Sequence, residues 1–258
     1  MEKYTLPHRL SGEKDRLALM STLLDPVELS WIARLGVGPG SRCLEFGCGI
    51  GSISVALARR VAPAGQVVAS DIDLAFVSHL SGSNLEVRRI DVLEDAIEQR
   101  CYDFVTARAL LHHLPSPLTA VRRAVSALKP GGVFLSIEPD MLPCTVTEPH
   151  SMNAFWQGWL KWSSEAGIDY FIGRKTQPWL ASLGLEDVVG EGFTPHFNGG
   201  SGWAKYWIET ITELAPALET SGHLSPALVQ EFMATYQDPR YWTSVISFVA
   251  TWGRVPLS

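Results

Sequence analysis

One carboxylate and three glycines occur close together in the sequence, at Glu45, Gly47, Gly49 and Gly51. Glycine has no β-carbon, so a turn built from it lets a ligand lie directly against the backbone. The dinucleotide fingerprint needs its third glycine where Ser52 stands, and the Gly-Lys-Ser/Thr ending of a phosphate-binding loop is absent. A carboxylate beside the turn would repel a pyrophosphate but attract a cation. The pattern therefore predicts a site for a positively charged ligand.

A second carboxylate with binding potential is Asp71, which follows a predicted strand at residues 66–70. In nucleotide-binding folds, an acidic residue at the end of the second strand accepts hydrogen bonds from both hydroxyls of a ribose. Asp73 lies two residues farther on and is predicted to cap the next helix. An exchange of roles between these two aspartates is the alternative. Asp71 is therefore the predicted ribose ligand.

Such residues come together only if the elements that carry them form one sheet. Cys43, Leu44 and Phe46 predict a buried first strand, and the apolar spacing of residues 52–60 predicts a helix after the turn. Further strands are predicted at 66–70, 85–90, 101–106, 133–138, 188–194 and 245–252. Further helices are predicted at 11–24, 27–35, 74–81, 117–128, 151–166, 176–183, 206–214 and 227–236. Strands that alternate with helices predict an α/β fold.

Two motifs resemble those of a known protein family. Residues 45–51, Glu-Phe-Gly-Cys-Gly-Ile-Gly, are similar to motif I of the class I S-adenosylmethionine-dependent methyltransferases. Residues 128–132, Leu-Lys-Pro-Gly-Gly, resemble the turn before the fifth strand in that family, and the match extends over residues 42–138 without a gap. The resemblance implies S-adenosyl-L-methionine as the cofactor. It also implies a Rossmann-like, seven-stranded, mostly parallel, doubly wound sheet with a helical lid, in a single domain at 1–258.

The resemblance also implies roles for individual residues. The turn glycines would lie against the methionine part of the cofactor, Asp91 would receive the adenine amino group, and Val92 would contact the ring. Arg108 would bind the cofactor's carboxylate or steer an anionic acceptor, with a structural ion pair as the alternative. The leading segment at 1–40 usually covers the cofactor in this family. The expected cofactor contacts are Tyr4, Glu45, Gly47, Cys48, Gly49, Gly51, Asp71, Ile72, Asp91, Val92 and Arg108.

Two adjacent histidines are the best candidates for a catalytic base. Methyl transfer from a sulfonium is an in-line displacement, in which a base is needed only to unmask the nucleophile. His113 or its neighbour His112 is the predicted base, because histidine titrates near neutral pH and the pair follows the fourth strand. The alternative is a histidine that bonds to backbone at a helix start. The sequence has no acidic and histidine cluster with metal-site spacing, so no metal is predicted.

Aromatic residues are concentrated in the half of the chain that does not hold the cofactor motifs. Eight of the nine tryptophans lie after residue 150. Phe155, Trp159, Trp203 and Trp207 are predicted to contact a small, apolar or aromatic acceptor that is methylated at oxygen, nitrogen or carbon. Permanent core packing is the alternative. Residues 195–241, between the last two predicted strands, are predicted to form a mobile lid with a glycine-rich hinge at 198–202. The domain is thus predicted to consist of a cofactor-binding core at 41–150 and a second part at 151–258, which contains the lid.

Composition argues against several kinds of partner. The net charge of −6 disfavours nonspecific binding to nucleic acid or to anionic membranes, and no stretch approaches the roughly 20 apolar residues of a membrane span. The N-terminus lacks the apolar run of a signal peptide, so a cytoplasmic location is predicted. Four cysteines without a Cys-x-x-Cys pair are expected to be reduced. We expect a small-molecule acceptor and a monomer or homodimer.

Two other functions remain open from the sequence. A nucleic-acid methyltransferase is disfavoured because Ala-Arg-Ala-Leu stands where base amino-methyltransferases have an Asp/Asn-Pro-Pro-Tyr motif. The dipeptide Pro143-Cys144 follows the fifth predicted strand without the partner motifs of cytosine-5 enzymes. A methyltransferase-like protein that binds the cofactor without transferring its methyl group, such as a pericyclase, is the other alternative.

Overall fold

The computed structural model describes residues 12–80 and 82–257. Tyr4, an expected cofactor contact, and Ser11, the first residue of the predicted helix 11–24, lie outside these ranges. The helices are α1 (Glu13–Arg34), α2 (Ser52–Val61), α3 (Pro117–Ala127), α4 (His150–Glu165), α5 (Gly173–Ser182), α6 (Gly202–Thr220) and α7 (Pro226–Gln237). Two short 3-10 helices occupy Leu111–His113 and Leu142–Val146. Among the described residues, no helix has both the length and the apolar character needed to cross a membrane.

Seven strands form the main sheet in the order β3-β2-β1-β4-β5-β9-β6. The strands of the protein are β1 (Arg42–Phe46), β2 (Gln66–Asp71), β3 (Leu85–Arg89), β4 (Tyr102–Arg108), β5 (Leu128–Asp140), β6 (Glu186–Phe193), β7 (Phe197–Asn198), β8 (Trp242–Thr243) and β9 (Ser247–Arg254). β1 to β5 pair in parallel, and β9 is antiparallel to both β5 and β6. The predicted seven-stranded, mostly parallel α/β sheet is confirmed.

Helices cover both faces of this sheet, which is why its central strands are apolar at consecutive positions. Cys43 and Leu44 are neighbours in β1 and point to opposite faces, yet neither has exposed surface. Cys43 belongs to a core cluster with Leu57 of α2, and Leu44 belongs to a second cluster with Val121 of α3. The strand order reverses between β1 and β4. A crevice at the carboxyl ends of these two strands is the usual ligand site of such sheets.

The leading segment differs from the prediction of two helices, at 11–24 and 27–35. It forms the single helix α1, with Pro26 inside it. Proline removes one backbone hydrogen bond and disfavours a helix interior. Here tertiary packing overcomes that cost, because Leu24 and Ile32, on either side of the proline, are fully buried.

Two other predicted elements also differ. Residues 75–79 form turns and not the predicted helix 74–81, and the Asp73 carboxylate accepts the Ala75 N–H at 2.9 Å at their start. The Leu-Lys-Pro-Gly-Gly turn is an irregular start of β5. There the register jumps from Leu128 opposite Tyr102 to Val133 opposite Phe104.

Residues 195–241 lie between β6 and β9, the last two strands of the main sheet, as predicted. They contain α6, α7 and the short β7, which pairs with β8. α6 packs against α1, and α7 packs against α4. The predicted hinge at 198–202 is held by backbone bonds, because the N–H groups of Gly199 and Gly200 donate to Tyr241 and Tyr236 at 2.9 Å each. α6 is also longer than the predicted helix 206–214.

Candidate active site

A cavity of about 730 Å³ lies at the carboxyl ends of the parallel strands. Its walls come from the ends of β1 to β5, from one side of α1, from α6 and from β9. It lies at the strand-order reversal, and it is larger than a second cavity of about 390 Å³ beside α4. The elements of the sheet therefore bring the predicted binding residues to one place.

The glycine turn after β1 contributes backbone to this cavity. Gly47, Cys48 and Gly49 line it, and Gly49 has a φ of +55°, which favours glycine. Gly51 does not line the cavity, which corrects its prediction as a cofactor contact. Its φ is +78°, and a β-carbon there would lie 2.5 Å from Cδ1 of Leu80. Gly51 is therefore needed for the turn and for packing against Leu80.

Asp71 ends β2 beside the glycine turn and lines the cavity. Its Oδ2 accepts the N–H of Gly49 at 2.9 Å, and its Oδ1 accepts the N–H of Asp73 at 3.1 Å. Ile72 also lines the cavity, with 53% of its surface exposed. Asp71 thus joins the turn after β1 to the loop after β2, and its position fits the predicted ribose ligand.

Asp91 and Val92 follow β3 and also line the cavity. The Oδ1 of Asp91 accepts the N–H of Leu93 at 2.9 Å, so this carboxylate caps its own turn. Val92 is buried, with 6% exposed. The two residues present a carboxylate and an apolar surface to the cavity, which is the pair of contacts expected for an adenine ring.

Glu45 is not the permanent anion that the sequence suggested. It lines the cavity with only 4% of its surface exposed, and Ser54 Oγ donates a hydrogen bond to its Oε2. Burial, followed by the nearby charge of Glu28, raises the pKa of Glu45 to about 8. The carboxyl group therefore holds a proton at neutral pH until a cation or a higher pH removes it.

Arg108 ends β4 and lines the same cavity. Its Nη1 donates to Asp25 Oδ1 and to Glu28 Oε2, at 2.7 Å each, so the predicted alternative of a structural ion pair is present. Within the described ranges, its Nε and Nη2 have no hydrogen-bond partner. The two α1 carboxylates hold the guanidinium by one nitrogen and leave two donor nitrogens for a ligand carboxylate.

His112 and His113, the two candidate catalytic bases, line the cavity on the turn after β4. Their ring centroids are 3.8 Å apart. Burial, followed by the charge of Arg16, lowers the pKa of His112 to about 3, and burial, followed by the charge of His112, lowers that of His113 well below its usual range. The expectation that they titrate near neutral pH is wrong, because both rings are desolvated. Both are neutral at physiological pH, the form that accepts a proton.

Glu138 was not found from the sequence, although it contacts His112 directly. It lies in β5 with no exposed surface, and its Oε2 is 2.9 Å from His112 Nδ1. Its oxygens also accept backbone N–H groups from Leu110, Leu111 and His112 at 3.0, 2.8 and 3.3 Å. Burial raises its pKa to about 8. A single acidic residue at the end of an apolar strand was the only available signal.

Arg16 is the other residue whose place the sequence did not show. It is 4% exposed and lines the cavity. Its Nε and Nη2 donate to Glu13 at 2.8 and 2.7 Å, and its Nη1 donates to the Tyr206 hydroxyl at 2.9 Å. These bonds join α1 to α6 over the cavity.

Of the four predicted acceptor contacts, only Trp207 lines the cavity. Phe155 and Trp159 are fully buried in the core, where Phe155 stacks on Phe232 at a centroid distance of 4.1 Å. Trp203 is also buried and packs against Phe248 at 5.6 Å. Their prediction as acceptor contacts is wrong because these rings pack against other aromatic side chains in the core and do not line the cavity. The Phe, Tyr and Trp side chains that line the cavity are Phe46, Tyr170, Tyr206, Trp207 and Phe248.

A glycine turn and strand-end carboxylates at the strand-order reversal define a site for a nucleoside cofactor. Residues 14–189 match the family described as a methyltransferase domain. The ubiquinone biosynthesis O-methyltransferase of Xanthomonas campestris pv. campestris is 41% identical over 184 residues, which cover 68% of this chain and 76% of that protein. The chain therefore belongs to the class I S-adenosylmethionine-dependent methyltransferases, and it acts on a small molecule.

Solved structures have the same fold. Phosphoethanolamine N-methyltransferase 2 of Haemonchus contortus, in complex with S-adenosyl-L-methionine, aligns with 99% of this chain and 60% of its own, with a TM-score of 0.66 and 16% identity. The YcgJ protein of Bacillus subtilis aligns with 90% of this chain and 99% of its own, with a TM-score of 0.62 and 14% identity. At these identities the likeness is one of fold alone.

S-adenosyl-L-methionine is the cofactor of the family, and the residues of the cavity fit it. The bare backbone of Gly47 and Gly49 provides a surface that a β-carbon would fill. Glu45 supplies a carboxyl group that a cation would ionise, and Arg108 supplies two donor nitrogens for a carboxylate. These contacts match the ammonium and carboxylate groups of a methionine, and Asp71 and Asp91 line the same cavity.

Proposed function

We propose that this methyltransferase acts on a hydroxyl oxygen of a small aromatic or apolar compound. The observation that carries the proposal is the neutral, buried His112, which lines the cavity and is held by Glu138. A base is more useful for a hydroxyl than for a neutral amine, because the hydroxyl must lose its proton to become a good nucleophile. The aromatic lining and the O-methyltransferase name of the 41% identical relative also support it.

Different residues of the chain bind the cofactor and activate the acceptor. When bound, S-adenosyl-L-methionine supplies an electrophilic methyl group. Glu45, Arg108, Asp71 and Asp91 bind and orient it, each through its charged group. His112 accepts the proton of the acceptor hydroxyl at Nε2, and burial of the site excludes water from the nucleophile.

The insertion at 195–241 is proposed to form a fixed cover over the acceptor end, in place of the mobile lid predicted from the sequence. Tyr206, Trp207 and Thr210 of α6 line the cavity, and the bonds from Arg16 to Tyr206 tie α6 to α1. Further proposals are a cytoplasmic location, no nucleic-acid partner, no metal cofactor, and a monomer or homodimer. The net charge of −6 supports the second of these.

Transfer of a labelled methyl group tests the proposed function. The purified protein is incubated with labelled S-adenosyl-L-methionine and matched pairs of phenols and anilines of the same ring size. Label in the phenols and not in the anilines is expected, with Gly49→Val as the control that loses cofactor binding. Label in the anilines alone, or only in RNA, DNA or protein, would contradict the proposal. Cofactor binding without any transfer would favour a rearrangement catalyst.

A further inference from the structure

We infer that Glu138 is a positioning residue that decides which ring nitrogen of His112 carries the proton, and so whether His112 is a base or a hydrogen-bond donor. The inference rests on the proposed role of His112 as the base. It goes further because it places the control of that base on a side chain that has no exposed surface and does not line the cavity.

The hydrogen bonds around Glu138 give its two oxygens different surroundings. Oε1 accepts two backbone N–H groups, from Leu110 at 3.0 Å and Leu111 at 2.8 Å. Oε2 accepts one longer bond from the His112 N–H at 3.3 Å and lies 2.9 Å from His112 Nδ1. A proton on this carboxyl group therefore belongs on Oε2, because Oε1 already faces two donors. That proton would point at the imidazole.

Two states of the pair follow from this arrangement. When Glu138 is ionised, its Oε2 accepts a hydrogen bond from Nδ1–H of a neutral His112, and Nε2 keeps its lone pair. When Glu138 is protonated, Oε2–H donates to Nδ1, and the single ring proton must stay on Nε2. The two states differ by one proton, which is released to solvent when the base form appears. His112 Nε2 has no partner in the described part of the chain, so this atom is available to an acceptor molecule.

Charged groups on the surrounding elements set the pH at which the pair changes state. Arg16 of α1, Asp169 after α4 and the neighbouring His113 face the histidine. Burial raises the pKa of Glu138 to about 8 and, together with Arg16, lowers that of His112 to about 3. The protonated pair therefore predominates at pH values well below 8, and the base form predominates above it.

Nitrogen NMR of protein labelled in its histidine rings tests the inference without any acceptor. Protonated and bare ring nitrogens have widely different shifts, and the His112 signals are assigned from their loss in His112→Phe. In the wild type, His112 should carry its proton on Nε2 well below pH 8 and on Nδ1 well above it. In Glu138→Gln, the amide can only donate to Nδ1 from the Oε2 position, so Nε2–H should persist at every pH. The matched control Glu98→Gln removes an ion-paired carboxylate outside the cavity and should behave as the wild type.

Kinetics give a second measurement that a purely structural role would not reproduce. With an acceptor of constant ionisation, the wild-type kcat should rise about tenfold per pH unit toward pH 8 and then level off. Glu138→Gln should lower kcat by about 100-fold or more, with little change in KM and no rise with pH. Glu98→Gln should keep the wild-type profile.

The outcomes separate this inference from the proposed function. It is overturned if His112 carries its proton on Nε2 in the wild type well above pH 8, or if Glu138→Gln shows the wild-type tautomer there. If Glu138→Gln does not fold, the wild-type titration alone decides. Absence of methyl transfer to phenols would contradict the proposed function and leave the NMR result as it stands.

Discussion

The protonated state of Glu45 predicts that cofactor binding depends strongly on pH. Its carboxyl group is almost fully buried at the cavity wall, and Ser54 is the donor that contacts it. Burial and the nearby Glu28 raise its pKa to about 8. A cationic cofactor binds the carboxylate and not the neutral acid, so at lower pH binding must first remove a proton. The affinity for S-adenosyl-L-methionine should therefore increase as the pH rises toward 8.

The size of this effect follows from the ionised fraction. With a pKa of about 8, roughly 1% of Glu45 is ionised at about pH 6 and half is ionised at about pH 8. The affinity should therefore rise about 50-fold over this interval and become nearly constant above it. Glu45→Gln removes the titrating group and should give a flat profile. Its affinity at high pH should be lower by about 1.5 to 3 kcal/mol, the usual contribution of a hydrogen bond to a charged group.

Isothermal titration calorimetry measures both quantities. At about pH 7, titrations in two buffers of different ionisation enthalpy should show release of close to one proton on binding, which Glu45→Gln abolishes. Glu98→Gln is the matched control and should keep both the slope and the proton release. A wild-type affinity that stays constant from about pH 6 to about pH 8, or a Glu45→Gln variant that keeps the pH dependence, would refute the reasoning.

Three further predictions concern the turn, the ribose ligand and the lid. Gly51→Ala should lower the free energy of unfolding by about 2 kcal/mol or more in urea denaturation, because of its positive φ and the contact with Leu80; Gly38→Ala, which has open space, should cost far less. Asp71→Ala should weaken cofactor binding by roughly 1 to 3 kcal/mol in calorimetry, and unchanged affinity would transfer the ribose role to Asp73. Amides at 198–210 should exchange slowly with and without ligands; fast exchange that ligands suppress would establish a mobile lid instead.

The positions of the candidate cofactor residues at the strand ends could be predicted from local sequence alone. Gly47 and Gly49 follow a buried apolar strand, and Asp71 and Asp91 each follow another. Because the carboxyl ends of parallel strands meet at one edge of a sheet, knowing the strands was enough to bring these residues together. The order of strands and helices along the chain could then be predicted from the apolar periodicity and the two motifs.

Helix boundaries were less accurate where tertiary packing opposed local preference. Pro26 predicts a break that α1 does not have, because the buried residues on both sides of it hold the helix together. The helix at 151–166 was located to within one residue and α6 was longer than predicted, and the rings of Phe155, Trp159 and Trp203 were assigned to the wrong surface. The spacing of residues identifies the apolar face of a helix, and it does not say whether that face contacts core or ligand.

The sequence by itself determined the α/β fold and the placing of the candidate binding residues at the strand ends, since these depend on local patterns and on the geometry of parallel sheets, and its resemblance to a family indicated the cofactor. Only the tertiary structure decided the protonation of Glu45, the partnership of His112 with Glu138 and the burial of Arg16. Each of these features depends on contacts between residues of separate elements. The pKa values of Glu45, His112 and Glu138 also depend on how much water the surrounding elements exclude. Desolvation is a property of the assembled packing and leaves no trace in the residue types themselves.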